Sequence, residues 1–401
     1  MWCYVQRVLI PYQQADAARH DRPRGNLSDL YPRWLGAREL LLRHRDPYGA
    51  QVTREIQAGY YGRELDPNRP NDPKDQQGFA YPVYVVFLLS PTIHLPFSAV
   101  QAGFFWLLAL LTAATVPLWL RAIGWRPPRK VQVILFALTL GSFAVVQGIK
   151  LQQLSLLVSF LIAAAAALLT SGYFVLAGIF LAIASIKPQL TLPLAGWLTL
   201  WALTGWPRRW RILAGFYVTL GILFAAGEYE LPGWIGRFRL AVAAYGDYTG
   251  GSRSLLDVLL TQSLGRIIAG VVILVVVYVC WKKRMEHEDS AAFAITLALV
   301  LAATVVIIPT FAPYNQVLLL PATLLIVRHW SALRQKGSAA RAVTFVAAGL
   351  LLWPWLAAFV LCVAFAALPP NIVQQGWAMP LYTSLGIPLG VLATLAFLLN
   401  P

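Results

Sequence analysis

The chain has 401 residues, 58% hydrophobic and only 12% charged, with a mean hydropathy of +0.63 and a formal net charge of +15. Soluble domains carry about 25% charged residues, so a water-soluble fold of this size is excluded. The basic excess does not point to nucleic acid either, because beyond residue 82 the basic residues cluster in short connections between apolar runs, as membrane-orientation signals do.

Residues 1–79 hold 12 Lys/Arg against 10 Asp/Glu and read as an extramembrane region. Leu35, Leu40, Leu41 and Leu42, with Arg38 and Arg43, predict a short amphipathic helix ended by Asp46-Pro47; the stretch from Asp66 to Asp75 predicts loop. Residues 82–95 are apolar but short and broken by Pro91 and Pro96, which suits a re-entrant or interfacial segment. Spans are then expected at 97–120, 131–149, 153–170, 173–187, 189–204, 211–226, 264–281, 291–309, 314–327, 342–367 and 381–399. The fold class is therefore all-α, a polytopic bundle of about eleven spans. It divides into an external first loop, 1–96, and a transmembrane helical domain, 97–401, carrying an external loop at 227–263.

Charge orients the bundle. Alternate connections hold Arg121, Arg126, Arg129 and Lys130; Arg208, Arg209 and Arg211; Lys282, Lys283 and Arg284; Arg328, Arg334, Lys336 and Arg341. These are 14 basic residues, against six on the opposite side: Lys150, Lys187, Arg237, Arg239, Arg253 and Arg266. The first side is expected to be cytoplasmic, along with the C-terminus, and residues 1–96 to lie outside. Because Met1 to Tyr12 is too short for a signal, a further upstream helix is expected in the native chain.

Cys3, Cys280 and Cys362 form neither metal-ligand spacing nor a disulfide framework. Glu228 and Glu230 alone are weak evidence for a metal, and no nucleotide loop, zinc pair or serine-nucleophile motif is present. No cofactor is expected and no metal site is assigned. The chemistry-bearing groups are polar residues at the external ends of spans. Asp29 reads either as a helix N-cap or as a general base. Lys187, followed by Pro188, reads either as a snorkelling lysine or as a cation for a lipid phosphate. Further polar clusters run from Gln147 to Ser155 and over Tyr314-Asn315-Gln316, and Arg237, Arg239 and Arg253 lie in the external loop.

In order along residues 26–335, these motifs resemble glycosyltransferase family 87, GT-C-type membrane proteins similar to mannosyltransferases that use polyprenyl-phosphate sugars. The likeness rests on Asp29-Leu-Tyr31, Ala37, Leu40-Leu41, Asp46-Pro47-Tyr48, Tyr81-Pro82 with Pro91 and Pro96, Gln152-Gln153-Leu154-Ser155, Ala177-Gly178 and Lys187-Pro188. Gln152 and Ser155 stand where the family has Gly and Asn. Ser252-Arg253-Ser254 replaces Asn-Gln-Ser, and Tyr314-Asn315-Gln316 offers no His. The resemblance implies transfer of a hexose, mannose in the family, from a polyprenyl-phosphate donor to a glycan or glycolipid acceptor. The reaction would run on the outer face of a bacterial plasma membrane. It implies Asp29 as the base of an inverting displacement, and Tyr31, Tyr81, Gln153, Lys187, Arg253, Tyr314 and Asn315 as substrate contacts. Membrane lipid is the expected surrounding partner. A transporter, or a lipid-linked oligosaccharide polymerase or ligase, is the competing reading.

Overall fold

The computed structural model describes residues 1–66, 68–248, 253–309 and 311–399; within the external loop expected at 227–263, residues 249–252 lie outside the described residues, and so does Ser252. Every regular element among the described residues is helical, and none is a strand. Five segments are long and apolar enough to cross a membrane: Phe97–Ala122, Trp206–Glu230, Gln262–Lys282, Ser338–Ala367 and Pro370–Leu399. A sixth is the pair Arg129–Leu140 and Phe143–Lys150, bent by 50° where Gly141 and Ser142 interrupt the apolar run. The remaining expected spans correspond to shorter helices. These are Leu154–Leu169, Phe174–Ala184, Pro188–Thr204, Ala291–Ile307, and a 3-10 turn, Pro313–Leu319, continuing as Leu320–Arg328.

Hydrogen bonds between connections sort the helix ends into two groups. In one, Arg328 donates to the Ile123 carbonyl, Thr204 and Arg209 donate to that of Arg284, and Lys336 to that of Phe397. In the other, Lys150 donates to Gln13, Gln316 to the Ser384 carbonyl, and Arg237 pairs with Asp46. Every one of these bonds joins connections assigned to the same side by charge, so the alternation of sides is built into the packing.

The first loop is a folded cap over the second group of ends. Its amphipathic helix spans Tyr31–Arg43 and stops at His44, which takes the left-handed conformation with φ 53°. A second helix, Ala50–Tyr61, is followed by an irregular stretch, described over 62–66 and 68–81, that reaches Tyr81. Residues 82–95 form only two short turns of helix, with Val83, Tyr84, Val85, Val86 and Leu89 buried in the main core, and the Tyr84 hydroxyl donating to the Ser185 carbonyl at 2.9 Å. An apolar run too short to span is thus buried by protein. The 227–263 region is more ordered than a loop: the Trp206–Glu230 helix runs into it, followed by helices Trp234–Tyr248 and Leu255–Leu259.

Candidate active site

Where the cap meets the second group of helix ends lies a cavity of about 850 Å³ that is open on one side. Asp29 reaches it through a turn that the sequence builds locally. Asn26 accepts from the Ser28 N–H at 2.9 Å and donates from its side chain to the Gly59 carbonyl at 3.0 Å, while the Asp29 N–H is held by the Leu151 carbonyl at 2.9 Å. The Asp29 carboxylate is not a helix cap. The N-cap of the following helix is Leu30, without a side-chain capping bond. Instead Tyr60 donates to Asp29 Oδ1 at 3.0 Å and Gln153 Nε2 donates to Oδ2. The chain turns into the helix at residue 30, one position later than a capping aspartate requires.

Lys187 does not snorkel. It is 5% exposed, and its Nζ donates to Gln153 Oε1 at 2.8 Å and to Ser155 Oγ at 2.7 Å. Pro188 begins the next helix at its first position, where a missing N–H costs nothing, and this break turns Lys187 inward. The ammonium lies 5.6 Å from the Tyr81 ring centre and 5.3 Å from that of Tyr314. Gln153 enters from the N-cap of Leu154–Leu169 because Gln152 adopts φ 49°. That is the left-handed region favouring glycine, and it is the position where the resemblance led us to expect one. Ser155, in place of an asparagine, donates to Asn315 Oδ1 at 2.8 Å, so an amide is supplied from the 3-10 turn.

Asp29, Tyr81, Gln153, Lys187, Tyr314 and Asn315 thus line one cavity. Two expected site residues do not. The Tyr31 ring packs edge-on to Phe97 at 4.8 Å with its hydroxyl against Gly59, because the helix begins there and turns the side chain away. Arg253 is exposed, away from the cavity lining, and its carbonyl accepts from the Phe311 N–H.

Of the external-loop arginines singled out in the sequence, Arg239 lines the cavity; sequence reading missed Arg33, Tyr60, Asp75 and Tyr245, which line it too. Arg33 was legible, being four residues after Asp29 and so one helical turn along. Its guanidinium stacks at 4.4 Å on the Tyr81 ring and bonds the Asp29 carbonyl, while the buried Nε has no hydrogen-bond partner among the described residues. Neither Arg33 nor Lys187 is ion-paired with a carboxylate among the described residues. Asp75 sits in a stretch that reads only as loop; it accepts from the Gln77 backbone at 3.0 Å and side chain at 2.8 Å. Burial, with Asp29 close by, pushes its carboxyl above the usual carboxylate range. Burial, then Asp75, pushes the Tyr245 phenol up to about 12.

Asp46-Pro47-Tyr48 frames the site. Asp46 accepts from the Tyr48 N–H and pairs with Arg237 at 2.9 Å, and the Tyr48 hydroxyl holds the Tyr81 carbonyl at 2.6 Å. Glu228 accepts from the Gly233 N–H at 2.7 Å, and among the described residues no group of three His, Cys, Asp or Glu side chains is placed to hold a metal.

A helical membrane protein that gathers two carboxylates, three cations and several phenols into one cavity at one set of helix ends belongs to a class that works on polar groups presented at the bilayer. The profile of glycosyltransferase family 87 matches residues 79–310, more than half of the chain. The chain belongs to that family and is a membrane glycosyltransferase. No curated protein and no solved structure matches it. Tyr81, Gln153 and Lys187 fall inside the matched range, whereas Asp29 and Arg33 precede it.

Proposed function

We propose that the protein transfers a hexose, mannose by family likeness, from a polyprenyl-phosphate donor to a hydroxyl of a glycan or glycolipid on the non-cytoplasmic face, inverting the anomeric centre. The observation that carries this reading is the placing of the Asp29 carboxylate, held by Tyr60 and Gln153, beside Lys187 and Arg33, two cations without a carboxylate partner among the described residues, around a single cavity that Asp75 also lines. Asp29 accepts the proton of the acceptor hydroxyl as its oxygen attacks the anomeric carbon. The bond to the lipid phosphate breaks on the opposite side of the sugar, and Lys187 and Arg33 take up the charge growing on the departing phosphate. A phosphate leaves without being protonated, so a second catalytic carboxylate is not required. A base of this kind contributes about 10²–10⁴-fold and each charge-stabilising donor about 10²–10³-fold.

The cavity is lined from one set of helix ends only, whereas a transporter requires access to both faces. Of the three arginines that a polymerase or ligase would use on a diphosphate, Arg237 is paired with Asp46 and Arg253 lies away from the cavity, while Arg239 lines it. The 3-10 turn Pro313–Leu319 presents Tyr314 and Asn315 to this cavity and Gln316, Val317 and Leu319 to a second, largely apolar cavity of about 390 Å³, which suits a lipid-linked donor. The test is to offer purified protein in lipid vesicles a panel of polyprenyl-phosphate hexoses beside nucleotide sugars, with a glycolipid acceptor. Transfer from a polyprenyl-phosphate hexose is expected; transfer from nucleotide sugars alone overturns the proposal.

A further inference from the structure

Building on the proposed function, we infer that Gln153 is a positioning residue that links the donor-phosphate cation, Lys187, to the base, Asp29. The directions of the hydrogen bonds require it. An ammonium only donates and an ionised carboxylate only accepts, so Lys187 on one side and Asp29 on the other allow the Gln153 amide a single orientation. Oε1 accepts from Lys187 at 2.8 Å and Nε2 donates to Asp29 Oδ2. Ser155 accepts from Lys187 at 2.7 Å and donates its own O–H to Asn315 Oδ1 at 2.8 Å. Lys187 thereby uses two of its three N–H donors and keeps one for a phosphate oxygen.

Gln153 occupies the N-cap of Leu154–Leu169 yet makes no side-chain capping bond, its amide being committed to the site instead. Tyr60 holds the other carboxylate oxygen, so Asp29 is fixed from two separate elements, the Ala50–Tyr61 helix and the turn at Gln152. Reorganisation of Lys187 around a bound phosphate is felt at the carboxylate through one amide. The charged and titratable groups facing Asp29 are Arg33 on the helix that follows it, Tyr60, Asp75, Lys150, Lys187, Tyr81, Tyr245 and Tyr314. All of these are retained when only Gln153 is changed.

The experiment measures sugar transfer from the donor that supports wild-type activity, across pH, for wild type, Gln153→Glu and Gln153→Leu. Glutamate keeps the acceptor for Lys187 but turns a carboxylate toward Asp29; leucine removes the donor to Asp29. Both changes disfavour the charged carboxylate, so the acid limb of the kcat profile moves to higher pH, by about one unit or more for Gln153→Glu. For Gln153→Leu, kcat falls about 10–100-fold, as one charge-assisted hydrogen bond implies, while KM for donor and acceptor stays within about twofold. Profiles of wild-type shape in whichever variant folds, or losses confined to KM, overturn the inference and leave the proposed activity standing. A wild-type protein that transfers nothing from any polyprenyl phosphate overturns both.

Discussion

A lysine near a membrane ordinarily extends its head to water, and Lys187 does the reverse, burying its ammonium among an amide, a hydroxyl and two phenol rings. Its identity and the following proline were legible in the sequence, but its direction was not, because the choice depends on Gln153 and Ser155, more than thirty residues away. Asp29 was ambiguous for the same reason: the Ser28-Asp29 pair looks like a cap until Tyr60 and Gln153 are seen to hold its carboxylate. Gln152 is a third residue whose meaning is geometric. A non-glycine residue in the left-handed region costs about 1–2 kcal/mol, and a β-branched one costs more. Gln152→Gly is expected to keep activity and to change stability by no more than about 1 kcal/mol, relief of strain offsetting added chain entropy. Gln152→Val is expected to lose about 2 kcal/mol. Denaturant unfolding in detergent micelles checks this; equal stability of the two variants would contradict the backbone account.

At the scale of elements, apolar runs and loop charges were legible because helices must satisfy their own backbone in lipid. The bend at Gly141 and the helical character of Trp234–Tyr248 were not, since both depend on what packs against them. The Ala177-Gly178 motif gains a physical reason from the structure. A Cβ on Gly178 would lie 2.2 Å from the Ile212 carbonyl oxygen, and one on Gly215 would lie 2.2 Å from that of Val175. The Phe174–Ala184 and Trp206–Glu230 helices therefore meet backbone to backbone, as small residues permit in membranes. Gly178→Ala or Gly215→Ala should each destabilise by about 1–3 kcal/mol. The double variant should cost less than the sum, because one separation of the two helices relieves both clashes. Thermal unfolding of the three variants measures this, and unchanged midpoints would contradict the close approach. The first of these helices ends at Ala184, three residues before Lys187, so such variants are also expected to slow transfer.

On the scale of the molecule, the site exists only because one set of helix ends converges beneath a folded cap. The cap supplies Asp29, Arg33, Tyr60, Asp75 and Tyr81; the helix ends supply Gln153, Lys187, Tyr314 and Asn315. Sequence order alone pointed to six of these nine. It passed over Arg33, although its helical spacing from Asp29 was readable, and over Tyr60 and Asp75, whose approach to Asp29 depends on the path of the polar loop between the helices. The excess of basic charge on the opposite ends is the basis for proposing that the cavity faces the non-cytoplasmic side. The proposed role of Asp29 as the base of this assembly is tested by transfer from a polyprenyl-phosphate hexose in vesicles containing wild-type protein or Asp29→Asn, with folding matched by thermal midpoint. A loss of about 10²–10⁴-fold in kcat with donor KM little changed is expected; undiminished transfer by Asp29→Asn would remove Asp29 from that role.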